Sequence, residues 1–259
     1  MNWYISLLSG LIQGLTEFLP ISSSGHLVIF HHFFNLPAEV QLEFDIFLHI
    51  GTLGSVLFVF HKDIIKLLTV NKKTLLLLIA ATIPAVIAAL FFDKKIESAF
   101  NSPKFVGFGL LITAVFLLIG SMAEKFRKIK KHNVTFPQAI LIGISQALAI
   151  LPGLSRSGLT ISTALTGGIV KKEAVRFSFL MAIFAISGAC VFKIHHLSTQ
   201  ILRNYFPDIA IGVVTSFVVG ILAIKLVFKA ISTRKWYIFS IYCALIGTII
   251  VLYFDGVKP

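Results

Sequence analysis

Charge is what this sequence has least of. Only 13% of its 259 residues are Asp, Glu, Lys or Arg, against about 25% in a soluble globular domain, while 57% are apolar. An ordinary soluble enzyme is thereby excluded. Acidic residues are the scarcer sign, 11 against 23 Lys plus Arg, for a formal charge of +12. In so apolar a chain this excess marks topology, because cytoplasmic loops of membrane proteins retain Lys and Arg; no nucleic-acid partner is expected. Cysteine is nearly absent. Cys190 and Cys243 lie in long apolar runs without ligand spacing, so no disulfide framework or zinc site is indicated and both read as packing residues. A basic leader is missing too: Met1-Asn2-Trp3-Tyr4 opens an apolar run containing Gln13 and Glu17, which is not the pattern of a cleavable signal peptide. No low-complexity linker or soluble domain interrupts the chain, and the longest polar connection, residues 123–136, has 14 residues.

What is present is apolar sequence in membrane-sized pieces. A hydrocarbon core of about 30 Å takes about 20 apolar residues per helix. Six stretches qualify as full spans, near residues 44–61, 74–92, 105–122, 176–193, 209–231 and 236–254. Pro84 predicts a kink in the second. Two further apolar regions, about 3–34 and 137–170, are too long for one helix and are broken by Pro20-Ile21-Ser22-Ser23-Ser24-Gly25 and by Pro152-Gly153-Leu154-Ser155-Arg156-Ser157-Gly158. These read as helical hairpins that enter the membrane and turn back.

A shift of 133 positions aligns residues 8–30 with 141–163 and gives seven identities in 23, among them Gln13 with Gln146, Ser22 with Ser155, Ser24 with Ser157 and Gly25 with Gly158. It also carries Phe44-Asp45 onto Phe177-Ser178. Each half is one broken hairpin and three spans, repeat 1 over about 1–124 and repeat 2 over about 137–259, within a single membrane domain of residues 1–259. Three being odd, the second half enters with opposite orientation, an inverted-topology repeat. The expected fold is therefore an all-α integral membrane protein with six transmembrane helices and two re-entrant hairpins. With both termini external, the loops at 61–73, 123–136, 171–176 and 225–235 hold 16 of the 23 Lys and Arg, and external segments hold six. That asymmetry fits the positive-inside rule. The remaining cation is Arg156, inside the second hairpin.

Ionisable groups at membrane depth are costly, at about 2.5–3.5 kcal/mol each on insertion scales, and mark function. The hairpins concentrate them: Gln13, Glu17, Ser22, Ser23, Ser24 and His26 in the first, Gln146, Ser155, Arg156, Ser157 and Thr160 in the second. Non-helical backbone at that depth must be buried in protein or line a cavity, so the two tips should meet around a polar pocket. Gln13 and Glu17, four apart, share a helical face and could jointly hold a divalent cation or a water. The Ser-rich turns with Gly25 and Gly158 offer hydroxyls and backbone N–H groups at helix N-termini, which suits a phosphate, and Arg156 supplies a planar fork for two phosphate oxygens. Together these groups point to phosphoryl transfer. Blander readings exist for each: an ion pair for Glu17 and Arg156, turn chemistry and back-bonding for the serines, a helix cap for His26. Asp45 and His49 read as a helix N-cap and a polar packing residue, and the pairs His31-His32 and His195-His196 as external-loop residues that bind nothing.

At these residues the sequence resembles a known family. The segments QGLTEFLPISSSGHL (13–27) and PGLSRSGLT (152–160) are similar to the two signature motifs of the bacterial undecaprenyl-diphosphate phosphatases, the bacitracin resistance proteins of BacA type, and the likeness extends through FDIFLHIGTL (44–53), ATIPA (81–85) and EAVRFSFLMAI (173–183). The resemblance implies a hydrolase of the bacterial inner membrane that removes one phosphate from undecaprenyl diphosphate at the outer face. That regenerates the lipid carrier for peptidoglycan synthesis and confers resistance to bacitracin, which competes indirectly by sequestering the substrate; membrane lipid is a further partner and a homodimer is allowed. By position the resemblance carries over Gln13 and Glu17, Ser22, Ser23 and His26, and Arg156; joined to the reading of the residues above, it gives Glu17, Ser23, His26 and Arg156 as the expected catalytic groups, Ser22, Ser24, Gly25, Ser155, Ser157, Gly158 and Thr160 as expected contacts to the substrate phosphates, and Gln13 with Glu17 as expected ligands of Mg²⁺ or Ca²⁺. Gln13 stands where a second Glu is common, which leaves Glu17 as the main acidic group, and Phe184 where Pro is common. Ser23 with a neighbouring base, His26 itself, or a water activated by Glu17 could attack phosphorus; Ser23 with His26 as acid or base is the favoured reading. The rival is an inverted-repeat transporter or flippase for a polyprenyl phosphate or another anion. The asymmetric placement of Ser23 and His26 against Arg156, which anion binding alone would not require, speaks for the enzyme.

Overall fold

The computed structural model describes all residues except 1, 35, 37, 101, 127–130, 195–198, 234 and 256–259; His195-His196 and the last four residues lie outside the described residues. The described chain is helical: α1 (Trp3–Phe18), α2 (Ser23–Phe33), α3 (Ala38–Val59), α4 (His61–Thr69), α5 (Lys72–Phe100), α6 (Pro103–Phe126), α7 (Phe136–Leu148), α8 (Arg156–Thr166), α9 (Lys171–Ile194), α10 (Thr199–Asn204), α11 (Phe206–Ser232) and α12 (Tyr237–Asp255). Five segments are long and apolar enough to cross a membrane: Lys72–Phe92, Pro103–Phe126, Lys171–Phe192, Phe206–Ser232 and Tyr237–Phe254. A sixth forms if Glu43–Val59 is joined to α4 across a 71° bend. The protein is thus an all-α, multi-pass integral membrane protein.

The helices at the two Ser-rich breaks are different in kind. α1, α2, α7 and α8 have 16, 11, 13 and 11 residues, which at 1.5 Å per residue gives about 24, 17, 20 and 17 Å, short of a bilayer core. Each pair breaks where the sequence supplies a cap. Ser22 and Ser155 accept hydrogen bonds from the N–H of Gly25 (3.2 Å) and Gly158 (3.1 Å), the side-chain capping that satisfies first-turn donors. Helix starts keep the 133-residue offset: Trp3 and Phe136, Ser23 and Arg156, Ala38 and Lys171. Packing keeps it as well, since α1 lies on α11 as α7 lies on α5, α3 on α11 as α9 on α5, and α6 on α12.

Close approach between these helices rests on small residues. A Cβ at Gly247 would lie 2.8 Å from the Gly107 carbonyl oxygen, and one at Gly10 2.8 Å from that of Gly212, the small-residue contact expected where lipid removes the hydrophobic drive between helices. Behind the site an aromatic group fills the core: Phe18 and Phe60 meet the fully buried Phe179 edge-on at 5.4 and 6.2 Å, and Phe228 meets it at 6.2 Å. The outer surface is apolar instead, with Phe58, Phe91, Leu222 and Leu252 exposed, as a lipid-facing wall should be.

α5 runs through Pro84 with helical backbone, and its non-helical φ/ψ come eight residues later at Phe92 (φ −121°, ψ 15°). Two expectations need correction. Asp45 and His49 lie inside α3, so Asp45 is no N-cap. His31-His32 are not loop residues. α2 continues through Phe33, and His31 is buried, 3.4 Å from Ser9 Oγ and 3.9 Å from Asp45 Oδ1, while His32 is exposed against the Phe254 ring. Cys243 is buried with its thiol 3.6 Å from Pro20 O, Cys190 is half-buried, and both are free. Phe184 packs on the core.

Candidate active site

The two turns meet. Gly153 has φ +85°, and a Cβ there would fall 2.2 Å from the Val106 carbonyl oxygen, so only glycine lets the second turn pass this close to α6. Thr113 of α6 ties that turn down, donating to Gly153 O (3.2 Å) and accepting from Ser155 N (3.0 Å). From the other side Ser157 Oγ donates to Leu19 O of the first turn at 3.2 Å. Ser22 has φ 68°, unusual for a residue with a side chain, and this sharp entry sets Ser23 at the start of α2.

Arg156, first residue of α8, donates from Nη2 to Glu17 Oε1 at 2.6 Å. The other carboxylate oxygen, Oε2, accepts from Ser23 Oγ at 2.7 Å and from Gln13 Nε2 at 3.1 Å. Glu17 and Arg156 side chains are 6% and 14% exposed, so this is a buried ion pair whose anion is fully hydrogen-bonded, the condition for keeping charge out of water. A carboxylate only accepts, which fixes the Gln13 amide with its nitrogen toward Glu17. Its oxygen is left buried without a partner. The guanidinium has five N–H donors, of which Glu17 and Ser178 O (3.4 Å) take two.

Other expected site residues hydrogen-bond to one another and to the backbone. Thr160 Oγ1 is 2.7 Å from Arg156 O and 2.7 Å from Ser178 Oγ, Ser155 Oγ is 3.3 Å from Ser157 Oγ, and Ser24 Oγ is 3.4 Å from Ser22 Oγ. His26 stands apart from Ser23: its Nδ1 lies 2.7 Å from Ser22 O and its Nε2 2.8 Å from the Tyr242 hydroxyl. Outside the expected site set lie His49, read from the sequence only as a polar packing residue, whose Nε2 is 3.7 Å from Glu17 Oε2, Thr52, 3.5 Å from Gln13 Nε2, and Thr113, Ser178 and Tyr242. His49 and Thr52 lie in FDIFLHIGTL and Ser178 in EAVRFSFLMAI, the stretches of family likeness, whereas Thr113 and Tyr242 carried no signal.

The donor set bears on a metal. Among the described residues no group of three or more His, Cys, Asp and Glu could cage an ion. The orphaned Gln13 Oε1 beside the single carboxylate Glu17 fits instead the Mg²⁺ habit of taking one or two protein oxygens and completing its shell with phosphate and water.

A carboxylate shared between a serine hydroxyl and an arginine, at the junction of two short helix pairs, is the arrangement to compare with known proteins. The profile of the family described as bacitracin resistance protein BacA matches residues 6–249. This chain belongs to the BacA family. Members similar to it include the undecaprenyl-diphosphatase of Alkaliphilus metalliredigens, 39% identical over 98% of this chain and 99% of that protein. That of Thermosipho africanus is 38% identical over 95% and 98%, and that of Korarchaeum cryptofilum 34% identical over 93% and 95%. The BacA match spans both helix pairs, so it includes every residue of the Glu17 cluster.

Proposed function

We propose that this protein hydrolyses undecaprenyl diphosphate to undecaprenyl phosphate and inorganic phosphate. The observation that carries the reading is the Ser23 hydroxyl donating to Glu17 at 2.7 Å while Arg156 holds the other carboxylate oxygen at 2.6 Å. A nucleophile within hydrogen-bond reach of a base that is itself oriented by a third group is the signature of an activated hydroxyl. Ser23 Oγ attacks the terminal phosphorus and its proton passes to Glu17. The bond from that phosphorus to the bridging oxygen breaks and undecaprenyl phosphate leaves. Water then hydrolyses the phosphoserine, releasing phosphate and restoring Ser23. Freed N–H donors of Arg156 stabilise the charge on the transferring group, and the N–H groups that open α2 and α8 face the same anion. His26, which the sequence paired with Ser23, is better placed by its Tyr242-side nitrogen to protonate the leaving group or activate the water. Gln13 and Glu17 would hold Mg²⁺ or Ca²⁺ with the diphosphate oxygens, the ion supplying charge neutralisation.

The polyprenyl tail stays in lipid while the diphosphate enters laterally. The short helix pairs and the 133-residue offset in helix order and packing support an inverted repeat with two re-entrant hairpins; the distribution of Lys and Arg supports external termini in a bacterial inner membrane and a site open to the outer face. Bacitracin would act on this reaction by sequestering its substrate. The same repeated helix order favours a second reading as a flippase for a polyprenyl phosphate.

The test is phosphate release from undecaprenyl and farnesyl diphosphate by purified protein, with and without EDTA. Wild type should be active, Glu17→Ala, Ser23→Ala and Arg156→Ala should lose at least about a hundredfold, and His26→Ala should be impaired. Full activity in Glu17→Ala and Arg156→Ala overturns the enzyme reading at this site, and lipid translocation without phosphate release would establish the flippase. Phosphate trapped on His26 rather than Ser23 would reassign the nucleophile.

A further inference from the structure

We propose that Tyr242 of α12 is a positioning residue for His26, holding the imidazole so that Nε2 is the nitrogen that exchanges protons. The Ser22 carbonyl, 2.7 Å from Nδ1, can only accept. In the neutral ring Nδ1 therefore carries the hydrogen and Nε2 the lone pair. At Nε2 the Tyr242 hydroxyl stands 2.8 Å away and donates. The two rings also stack, with centroids 5.8 Å apart and planes 9° from parallel. Turning the imidazole over would set a carbon against each oxygen and break both bonds, so the two contacts select one orientation. The backbone shows the same commitment. Among the described residues Ser22 is the one non-glycine with positive φ, and it is Ser22 whose carbonyl takes the Nδ1 hydrogen.

Tyr242 is 37% exposed, whereas Glu17 is buried. A phenol both donates and accepts. It can pass the Nε2 bond to an arriving water, which donates to the ring nitrogen, and stay bonded to that water oxygen. α12 belongs to the second half of the chain, and His26 to the first half, so the arrangement makes one half complete the motif of the other.

Only the kinetic arm of the test rests on the proposed phosphatase reading. Tyr242→Phe keeps the stacked ring and removes the hydroxyl. In protein labelled with ¹⁵N-histidine, the His26 resonances are assigned by their absence in His26→Gln. In wild type they should show Nδ1 protonated and Nε2 hydrogen-bonded, and in Tyr242→Phe the Nε2 resonance should move as that bond is lost. An Nε2 resonance unchanged in Tyr242→Phe overturns the proposal. In the phosphate-release assay Tyr242→Phe should lower kcat about tenfold, a modest misalignment of an acid or base, with KM within about twofold. A wild-type kcat, or a loss confined to KM, overturns the proposal. A resonance shift in a wild-type protein that releases no phosphate would instead overturn the phosphatase reading and leave the Tyr242 contact standing.

Discussion

Removing Arg156 should destabilise the protein in a way that depends on pH, and removing Glu17 should not. In Arg156→Ala the Glu17 carboxylate, 6% exposed, loses its guanidinium partner and keeps Ser23 and Gln13 as donors, with His49 Nε2 3.7 Å away. Breaking a buried pair from one side costs about 3–5 kcal/mol. The carboxylate has an escape, because it can take up a proton. For a carboxyl with an ordinary unfolded pKa of about 4.3, protonation at pH 7 costs about 3.7 kcal/mol, which caps the penalty, and the cap falls to about 1 kcal/mol at pH 5. The sign follows from the protons bound: the folded variant holds one that the unfolded chain releases above pH 4.3, so stability is recovered as pH falls. Glu17→Gln strands Arg156 instead, and a guanidinium cannot lose its proton; its penalty should stay level between pH 5 and 8. The double variant Glu17→Gln/Arg156→Ala removes both charges and should be more stable than Arg156→Ala at pH 7. Equilibrium unfolding by SDS in mixed micelles, across that pH range, measures all four proteins. A pH-independent penalty in Arg156→Ala, or a double variant no more stable than it, would refute the buried-pair reasoning.

Other consequences are local. Gly153→Ala should cost about 3 kcal/mol, from the positive φ and the 2.2 Å approach to Val106 O, read by the same unfolding assay. Ser22→Ala should cost about 1 kcal/mol through the lost cap on Gly25 N, and Ser22→Gly less, since glycine accepts φ 68° freely. Phe179→Ala should cost about 3–5 kcal/mol by opening a cavity among Phe18, Phe60 and Phe228. Asp63→Asn should cost less than about 1 kcal/mol, and less still in high salt, because the Asp63–Arg176 pair is roughly a third exposed.

How much of this was legible in the sequence follows from which properties survive projection onto one dimension. Span length does, so five of the six expected spans match single helices and the sixth appears as α3 with its 71° continuation. The cost of an ion in an apolar run does too: Glu17 and Arg156 stood out by charge alone, and they are 2.6 Å apart. Neutral polar residues do not project in this way. Ser157 and Thr160 read as phosphate ligands by residue type, their hydroxyls bond Leu19 O and Arg156 O in the fold, and nothing in a serine's identity foretells such back-bonding. His49 and Tyr242 reach the cluster because of how α3 and α12 are rotated about their axes. That rotation is set by glycine contacts such as Gly51 on Val213 and Gly247 on Gly107. The 133-residue offset could not supply it, since His49 and Tyr242 lie outside the segment where the halves share residues. The charges of the cluster are thus written in composition, and their orienting neighbours in packing.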